Sequence, residues 1–362
     1  MTTAASERDL VALRLDALFV SRAVPAEGDG ADGVTTAARA MLAVQGQDPV
    51  AAQWALGSRV AQATRADVFE AFQRGSIVRS WPMRSTVHVM AAEDLGWLQR
   101  LTLDRVMGDA ARRREQLGLE LATLERMRDI AVTELQGGRA LPRAELIAAF
   151  GRDGIVMQQG WAYHAVWFLS QTGTLVFGPP SGQRDNLIVL ADEWITAPKM
   201  FEGDEALAEL AARYAASHGP ATVADLCWWT KMTVASVKRA FAIAESSGRV
   251  ARVRCADTEY WLSAQADLRD AASVPDLRLL PAFDETLLGY RDRGAVLAAE
   301  RARDVMSSNG IASPTILADG RIAGTWSHRG DATTVTPFDA ADSIDAVALE
   351  RETSRIRDFF AG

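Results

Sequence analysis

Residues 219–255 read GPATVADLCWWTKMTVASVKRAFAIAESSGRVARVRC, and this stretch decides the fold that the sequence predicts. Thr222 suits the N-cap of a first helix, and Asp225, three residues on, makes a capping box with Asp in place of the usual Glu or Gln. A tight turn then leads to Thr233, a second N-cap, and Gly248 ends the second helix. The segments RVARVRC and TEYWL that follow predict a two-stranded wing.

A helix, a turn, a helix and a wing form the winged-helix variant of the helix-turn-helix. The same theme, helices followed by a short hairpin, recurs twice upstream, in units of about 70 to 100 residues. A single winged helix also serves as a protein–protein module, so one copy leaves the partner open. Three copies in tandem favour DNA.

The two upstream units are predicted from apolar spacing. In the first, VTTAARAMLAV, AAQWALGSRV and RADVFEAFQRG have helical spacing, and SIVRSWPMRSTVHVM predicts a hairpin around a Pro-centred turn. A long helical stretch follows, from about Ala92 to Leu117. The second unit has the helical LPRAELIAAFG and GWAYHAVWFLSQTG, then the strand-like TLVFGPP and NLIVLADEWI.

After Pro275 the pattern changes to short apolar strands separated by turns. Asp319–Gly320 is a type I′ hairpin signal, and SIDAVALERETSRIRDFFAG closes the chain as an amphipathic helix. The predicted fold class is α+β, with three tandem winged helices followed by a C-terminal β-barrel-like domain. The predicted domains are residues 1–118, 119–200, 201–272 and 273–362.

Composition is that of a soluble globular protein, with 362 residues, 48% of them hydrophobic and 24% charged. No apolar run approaches ~18 residues, so no transmembrane helix is predicted. The first ten residues, MTTAASERDL, lack the basic and apolar regions of a secretory signal, which favours the cytoplasm. Cys227 and Cys255 suggest neither a disulfide framework nor a zinc site, and we expect no metal or cofactor.

The net charge of -8 by itself argues mildly against nucleic-acid binding. Residues 72–114, however, hold eight arginines and four acidic residues, a local excess of four positive charges. For the run Arg112–Arg114, a solvated helix face and a nucleic-acid contact are equally good interpretations.

Gln45 and Gln47 flank Gly46 in a short link between two helices. Asp48 and Pro49 suit the N-cap and first position of the second helix. Side chains two residues apart do not share a helix face, but in a non-helical link they can point to the same side. Two amides would then converge on one small ligand, such as a water molecule. The alternative is a solvent-facing polar turn, which the residues alone favour.

Several other side chains are candidates for binding DNA. The first hairpin supplies Arg79, Arg84, Thr86 and His88. They are either phosphate contacts or partners within the hairpin, and His88 would alternatively touch the sugar or the modified base. The third unit supplies possible phosphate contacts at Lys231, Lys238 and Arg239, in a helix too poor in Asn, Gln and Arg to be an obvious base reader.

The C-terminal part supplies His328 and Arg329, which follow a predicted barrel strand on a loop that either probes a groove or is a solvated turn. For Asp284 and Glu285 we favour a structural role, in hairpin capping or in pairing with Arg291 or Arg293. Four tryptophans on apolar helical faces are expected to pack in the core: Trp161, Trp167, Trp228 and Trp229.

Five segments together resemble the winged-helix DNA-binding family that contains the AlkZ- and YcaQ-type bacterial alkylpurine DNA glycosylases. The segments are LAVQGQDPVAAQWALGSRV, SIVRSWPMRSTVHVM, GPATVADLCWWT, LLPAFDETLLGYRDR and ADGRIAGTW. The resemblance runs from roughly Leu10 to the C-terminus. It implies tandem winged helices wrapped around DNA and a catalytic Gln-x-Gln motif, which Gln45 and Gln47 match. Gly46 stands where a larger apolar residue is usual, and Ser85 where glycine is common.

The implied activity is that of a monofunctional base-excision-repair glycosylase acting on N7- or N3-alkylated purines in double-stranded DNA. Alkylation at N7 makes guanine a cationic leaving group, so the enzyme must chiefly position water. No lysine lies beside the glutamines in the sequence, so no lyase step is expected. Relatives that act in antibiotic self-resistance make natural-product guanine adducts candidate substrates. A monomer is expected. A non-catalytic winged-helix transcriptional regulator and a protein-interaction scaffold remain as alternatives.

Overall fold

The computed structural model describes residues 3–4, 6–25, 30–266, 273–330, 332–339 and 344–362. The helices are α1 (Glu7–Ala17), α2 (Ala31–Met41), α3 (Pro49–Gly57), α4 (Arg65–Gln73), α5 (Leu95–Gln116), α6 (Leu121–Leu135), α7 (Arg143–Arg152), α8 (Trp161–Gln171), α9 (Ala191–Trp194), α10 (Gly203–His218), α11 (Val223–Thr230), α12 (Val234–Ser246), α13 (Glu285–Leu288), α14 (Ala302–Val305) and α15 (Ala346–Ala361). The strands are β1 (Thr3–Ala4), β2 (Val44–Gln45), β3 (Ile77–Met83), β4 (Thr86–Ala91), β5 (Leu175–Ser181), β6 (Asp185–Leu190), β7 (Val250–Cys255), β8 (Thr258–Ser263), β9 (Leu277–Leu280), β10 (Thr315–Ala318), β11 (Arg321–Arg329) and β12 (Ala332–Pro337).

The helix-turn-helix and hairpin predicted over residues 219–255 are confirmed. The Thr222 hydroxyl accepts a hydrogen bond from the Asp225 N–H, and the Asp225 carboxylate accepts one from the Thr222 N–H. Thr233 caps α12 by accepting from the Ser236 N–H. Strands β7 and β8 then pair antiparallel. These caps satisfy backbone donors that would otherwise lack partners at the two helix starts.

The hairpins of the first two units lie in one five-stranded sheet, in the order β2-β4-β3-β5-β6. Arg79 of β3 pairs with Phe177 of β5 at the junction of the two hairpins. On the other side, β2 pairs with β4 and places Gln45 opposite His88. The glutamine segment and the second unit are therefore attached to the same sheet. The division into four domains stays a prediction.

The turn of the first hairpin is not centred on proline, contrary to the prediction. Pro82 lies inside β3, where the register with β4 shifts between Ser80 and Met83. Such an irregularity tolerates a residue that has no N–H to donate. The turn is formed by Arg84 and Ser85, whose φ angles are 56° and 52°. Two successive positive φ angles are typical of type I′ turns, which match the twist of the strands.

The predicted C-terminal barrel is wrong, because the four strands form an open antiparallel sheet in the order β12-β11-β10-β9. Among the described residues, β9 and β12 do not pair with each other, and helix α15 packs against β9 instead. A helix that covers a sheet buries its apolar side without closure. The type I′ turn at Asp319–Gly320 is confirmed by φ angles of 48° and 80°, as is the C-terminal helix.

Asp284 and Glu285 are buried, which supports the structural role predicted for them, but their partners are not Arg291 or Arg293. Asp284 pairs with Arg59 and caps α13, while Glu285 faces His218 and accepts a hydrogen bond from a tryptophan indole. Of the four tryptophans predicted in the core, three are buried and Trp228 is half-buried.

Two hydrophobic clusters stabilise the molecule. The larger joins the first unit, the third unit and the C-terminal sheet, and the smaller fills the second unit and includes Trp81 of β3. Cys227 and Cys255 are free thiols. Within the described ranges, every helix is too short or too polar to cross a bilayer.

Candidate active site

The link between α2 and α3 places the two glutamines as predicted. Strand β2 fixes its first half against β4. Asp48 then caps α3 by accepting hydrogen bonds from the Val50 and Ala51 N–H groups, and Pro49 occupies the first turn. Both ends of the link are therefore held, and the residues between them have little conformational freedom.

Gln45 and Gln47 contact each other but have different surroundings. The Gln45 Nε2 donates to the Gln47 Oε1 at 3.1 Å, and the Gln47 N–H donates to the Gln45 Oε1 at 3.0 Å. Gln45 is buried, whereas Gln47 is exposed and lines a cavity. Gln45 thus holds Gln47 in place, and the amide of Gln47 is available to a ligand in the cavity.

Gly46 is fixed through its own backbone. Its N–H donates to the Val87 carbonyl at 2.8 Å, and its carbonyl accepts from the Arg79 Nε at 2.8 Å. A Cβ added at this position would lie 3.0 Å from the His88 carbonyl carbon and 3.1 Å from the Val89 nitrogen. Glycine therefore allows β4 to approach closely at this point.

Gly46→Ala should lower the rate of the base excision that the sequence resemblance implies by about threefold to tenfold, because the link must move a few tenths of an ångström and misplaced reacting groups lose rate. Single-turnover excision, with duplex affinity measured alongside, tests this. Gly108→Ala is the matched control, because its added Cβ meets nothing within 4 Å. Equal rates for Gly46→Ala and the wild-type protein would show that the link tolerates the shift.

The cavity beside Gln47 has a volume of about 540 Å³ and lies between the first hairpin and the second unit. The Trp81 ring packs against those of Tyr163 and Phe177, with distances between ring centres of 6.4 Å and 5.7 Å. The Arg143 guanidinium lies 5.7 Å from the Tyr163 ring centre, and that of Arg79 lies 5.3 Å from the Phe177 ring centre. The walls therefore suit a flat aromatic group.

Positive charge dominates the cavity lining. Arg79, Arg143 and Arg184 lie in the lining with one carboxylate, that of Asp185. Burial lowers the pKa of Arg79 and the nearby Arg143 lowers it further, while Asp185 opposes the shift. Within the described chain, no three His, Cys, Asp or Glu side chains gather into a group able to hold a metal.

His88 lies inside the sheet and pairs within the hairpin, which is one of the interpretations that the sequence leaves open for it. Its side chain is completely buried, with Nδ1 2.8 Å from the Thr86 carbonyl and Nε2 3.0 Å from an Arg84 terminal nitrogen. Burial, helped by the Arg84 charge, lowers the pKa of His88 to about 3. The ring is neutral, donates to Thr86 and accepts from Arg84, and its contact with DNA stays a prediction.

The remaining predicted contacts are spread over the molecule. Thr86 lies in the cavity lining, and Lys231 lies over the Trp228 ring at 4.2 Å. Lys238 is exposed on α12, and Arg239 on the same helix pairs with an aspartate. His328 and Arg329 lie within β11 rather than on a loop after it. Their contacts with DNA stay predictions.

Sequence reasoning missed the part of the cavity that the second unit supplies. Arg143, Tyr163, Arg184 and Asp185 lie far from the glutamines along the chain. They reach the cavity because β5 pairs with β3. The sequence contains no local signal for that pairing, since it depends on tertiary packing.

Three comparisons place the chain among known proteins. The family described as "DNA glycosylase AlkZ-like" matches residues 38–359. The "Interstrand DNA cross-link repair glycosylase" of Streptomyces sahachiroi is 25% identical over 308 residues, which cover 78% of each chain. The solved structure described as "Streptomyces sahachiroi DNA glycosylase AlkZ" has a similar fold, with a TM-score of 0.80 and 23% identity over 98% of this chain and 97% of that one.

Proposed function

The chain belongs to the AlkZ-like DNA glycosylase family, and from this premise we propose that it hydrolyses the N-glycosidic bond of N7- or N3-alkylated purines in double-stranded DNA. The observation that carries the proposal is the Gln47 amide, exposed at the cavity and held by the buried Gln45. This arrangement suits the positioning of one water molecule near a bound nucleotide.

The proposed reaction needs little acid or base chemistry. A purine alkylated at N7 carries a positive charge and departs as a neutral base, leaving an oxocarbenium-like sugar. Gln47 orients the water that forms the new C1′–O bond and releases its proton to solvent, and Gln45 keeps the Gln47 amide in one orientation. Arg79 fixes the backbone between them through the Gly46 carbonyl. Positioning of this kind lowers a barrier by several kcal/mol.

The excision rate should be nearly constant between about pH 6 and 8, because amide side chains do not titrate there. His88, the histidine packed against the glutamine segment, has a pKa lowered to about 3. It is therefore neutral throughout this range and gains a proton only in strong acid. Single-turnover rates at constant ionic strength test this, and a steep bell-shaped profile would indicate a titrating catalytic group.

The function is tested with a duplex that contains one N7-methylguanine. After incubation without added metal, alkali cleaves the abasic sites that the enzyme has produced. We expect strand breaks with the wild-type protein and a sharp loss of breaks with Gln45→Ala or Gln47→Ala. Binding without excision of this or any bulkier guanine adduct would instead favour a non-catalytic regulator.

Bulky natural-product adducts of guanine are the substrates that the cavity favours. Its volume of about 540 Å³ exceeds what a methyl group needs, and its walls suit planar aromatic groups. The relative named as an interstrand cross-link repair glycosylase supports such substrates. We also propose a role in antibiotic self-resistance. The protein would act as a cytoplasmic monomer, and its three winged helices would surround the duplex.

A further inference from the structure

The Arg84–Ser85 turn of the first hairpin separates two cavities. One is the cavity beside Gln47. The second, of about 360 Å³, lies between this turn, helix α5 and the turn that joins α11 to α12. Ser85 lines both cavities. A strand of DNA whose lesion lies at Gln47 would therefore reach the second cavity by crossing Ser85.

Three cationic side chains from three parts of the chain line this second cavity: Arg84, Arg105 and Lys231. Asp104 is the acidic residue in its lining. In the described part of the chain, neither Arg105 nor Lys231 forms an ion pair. The Arg84 Nε is buried and has no hydrogen-bond acceptor among the described residues. Among the described residues, none of the three cations has a carboxylate within ion-pair distance, although Asp104 lies in the same lining.

The charges of Arg84 and Arg105 act on Lys231. Burial lowers the pKa of this ammonium, and the charges of Arg84 and Arg105 lower it further. Glu285 acts on Arg84 with the opposite sign, but its Oε2 already accepts from the Trp229 indole and faces His218. An anion in the cavity would relieve the repulsion.

We propose that the second cavity, called here the phosphate cavity, binds one phosphodiester of the damaged strand and so sets the register of the lesion against Gln47. The inference rests on the proposed function, because the lesion defines which phosphodiester is meant. The cavity lies against the start of α12, where backbone N–H groups and the helix dipole also favour an anion. Free inorganic phosphate has the same recognition chemistry, and the test separates the two sources.

The test uses duplexes in which a tetrahydrofuran abasic analogue marks the lesion. Each phosphate near it is replaced in turn by a neutral methylphosphonate, and Kd is measured for each duplex. We expect one position at which the wild-type protein loses about tenfold in affinity, which is the effect of a strong charge-assisted contact. At that position the methylphosphonate should weaken the binding of Lys231→Gln or Arg105→Gln by less than about twofold, because these variants have already lost the contact with the phosphate.

Two further variants sharpen the comparison. Arg112→Gln removes an exposed arginine from the same helix as Arg105, outside the phosphate cavity. It should keep the tenfold response at that position. Asp104→Asn removes the carboxylate and should tighten binding by about twofold to threefold. Lys231→Gln should also make the salt dependence shallower, reducing the magnitude of the slope of log affinity against log salt by about one. Thermal unfolding confirms that each variant is folded.

The inference would be overturned if the methylphosphonate lowered the affinity equally at every position. It would also be overturned if Lys231→Gln lost the full tenfold at the critical position. Tight binding of inorganic phosphate that depends on Lys231, together with no positional effect in DNA, would assign the cavity to free phosphate and also overturn it. The outcome is separable from that of the proposed function, because Kd is read without excision. Excision with no positional effect overturns only the phosphate cavity, and a positional effect without excision overturns only the glycosylase proposal.

Discussion

Gln47→Ala should lower the single-turnover excision rate of an N7-alkylguanine duplex by about 100- to 1000-fold, a loss typical of removing one group that orients the reacting atoms. The Kd of the duplex should change by less than about threefold, because one exposed amide contributes little to binding DNA. The wild-type fold should be kept, since the truncated side chain is exposed and lies at a cavity.

Gln45→Ala should lower the excision rate by less, about tenfold to 100-fold, because Gln45 acts through its neighbour Gln47. The variant leaves the Gln47 N–H and Oε1 without the partners they have at 3.0 and 3.1 Å, so the amide that faces the cavity is less well oriented. Gln136→Ala, at an exposed helix end, is the matched control. If both active-site variants excise within threefold of the wild-type rate, another group holds the water.

The features that sequence predicted well depend on neighbours along the chain. The caps at Thr222 and Thr233 are signals of two or three residues, and the structure has both. The link that contains Gln45 and Gln47 was placed by Asp48 and Pro49 in the same way. Local hydrogen bonds specify these elements, so a short window of sequence contains the necessary information.

The features that sequence missed depend on contacts between distant residues. The cavity forms because Arg79 lies beside Phe177, almost a hundred residues away, and no local pattern specifies that pair. The sequence predicts the hairpin turn at Pro82, a strong turn signal, rather than at Arg84–Ser85, because neither of those two residues favours positive φ. For His88 the sequence leaves a hairpin partner and a DNA contact open, because its neighbours Arg84 and Thr86 are polar residues that suit either interpretation.

Asp284→Ala and Gln47→Ala should affect different properties, the first the stability of the fold and the second the excision rate. Asp284→Ala should lower the free energy of unfolding by about 3–5 kcal/mol, because it leaves a buried arginine without its counter-charge. Asp284 is 2% exposed and Arg59 is 1% exposed, and the two carboxylate oxygens lie 3.0 and 3.1 Å from one Arg59 nitrogen. Urea unfolding at constant pH measures the loss.

The same variant should keep its excision rate per folded molecule at low temperature, since Asp284 joins the first unit to the C-terminal part rather than lining the cavity. Arg59 also donates to the Leu18 and Ala55 carbonyls, so the double variant Arg59→Met with Asp284→Leu removes the unpaired charge but leaves two acceptors unsatisfied. It should be more stable than Asp284→Ala and less stable than the wild type. Unchanged stability with a collapsed excision rate would instead place the Asp284 carboxylate in the chemistry, and the glutamines would then share the active site with an acid.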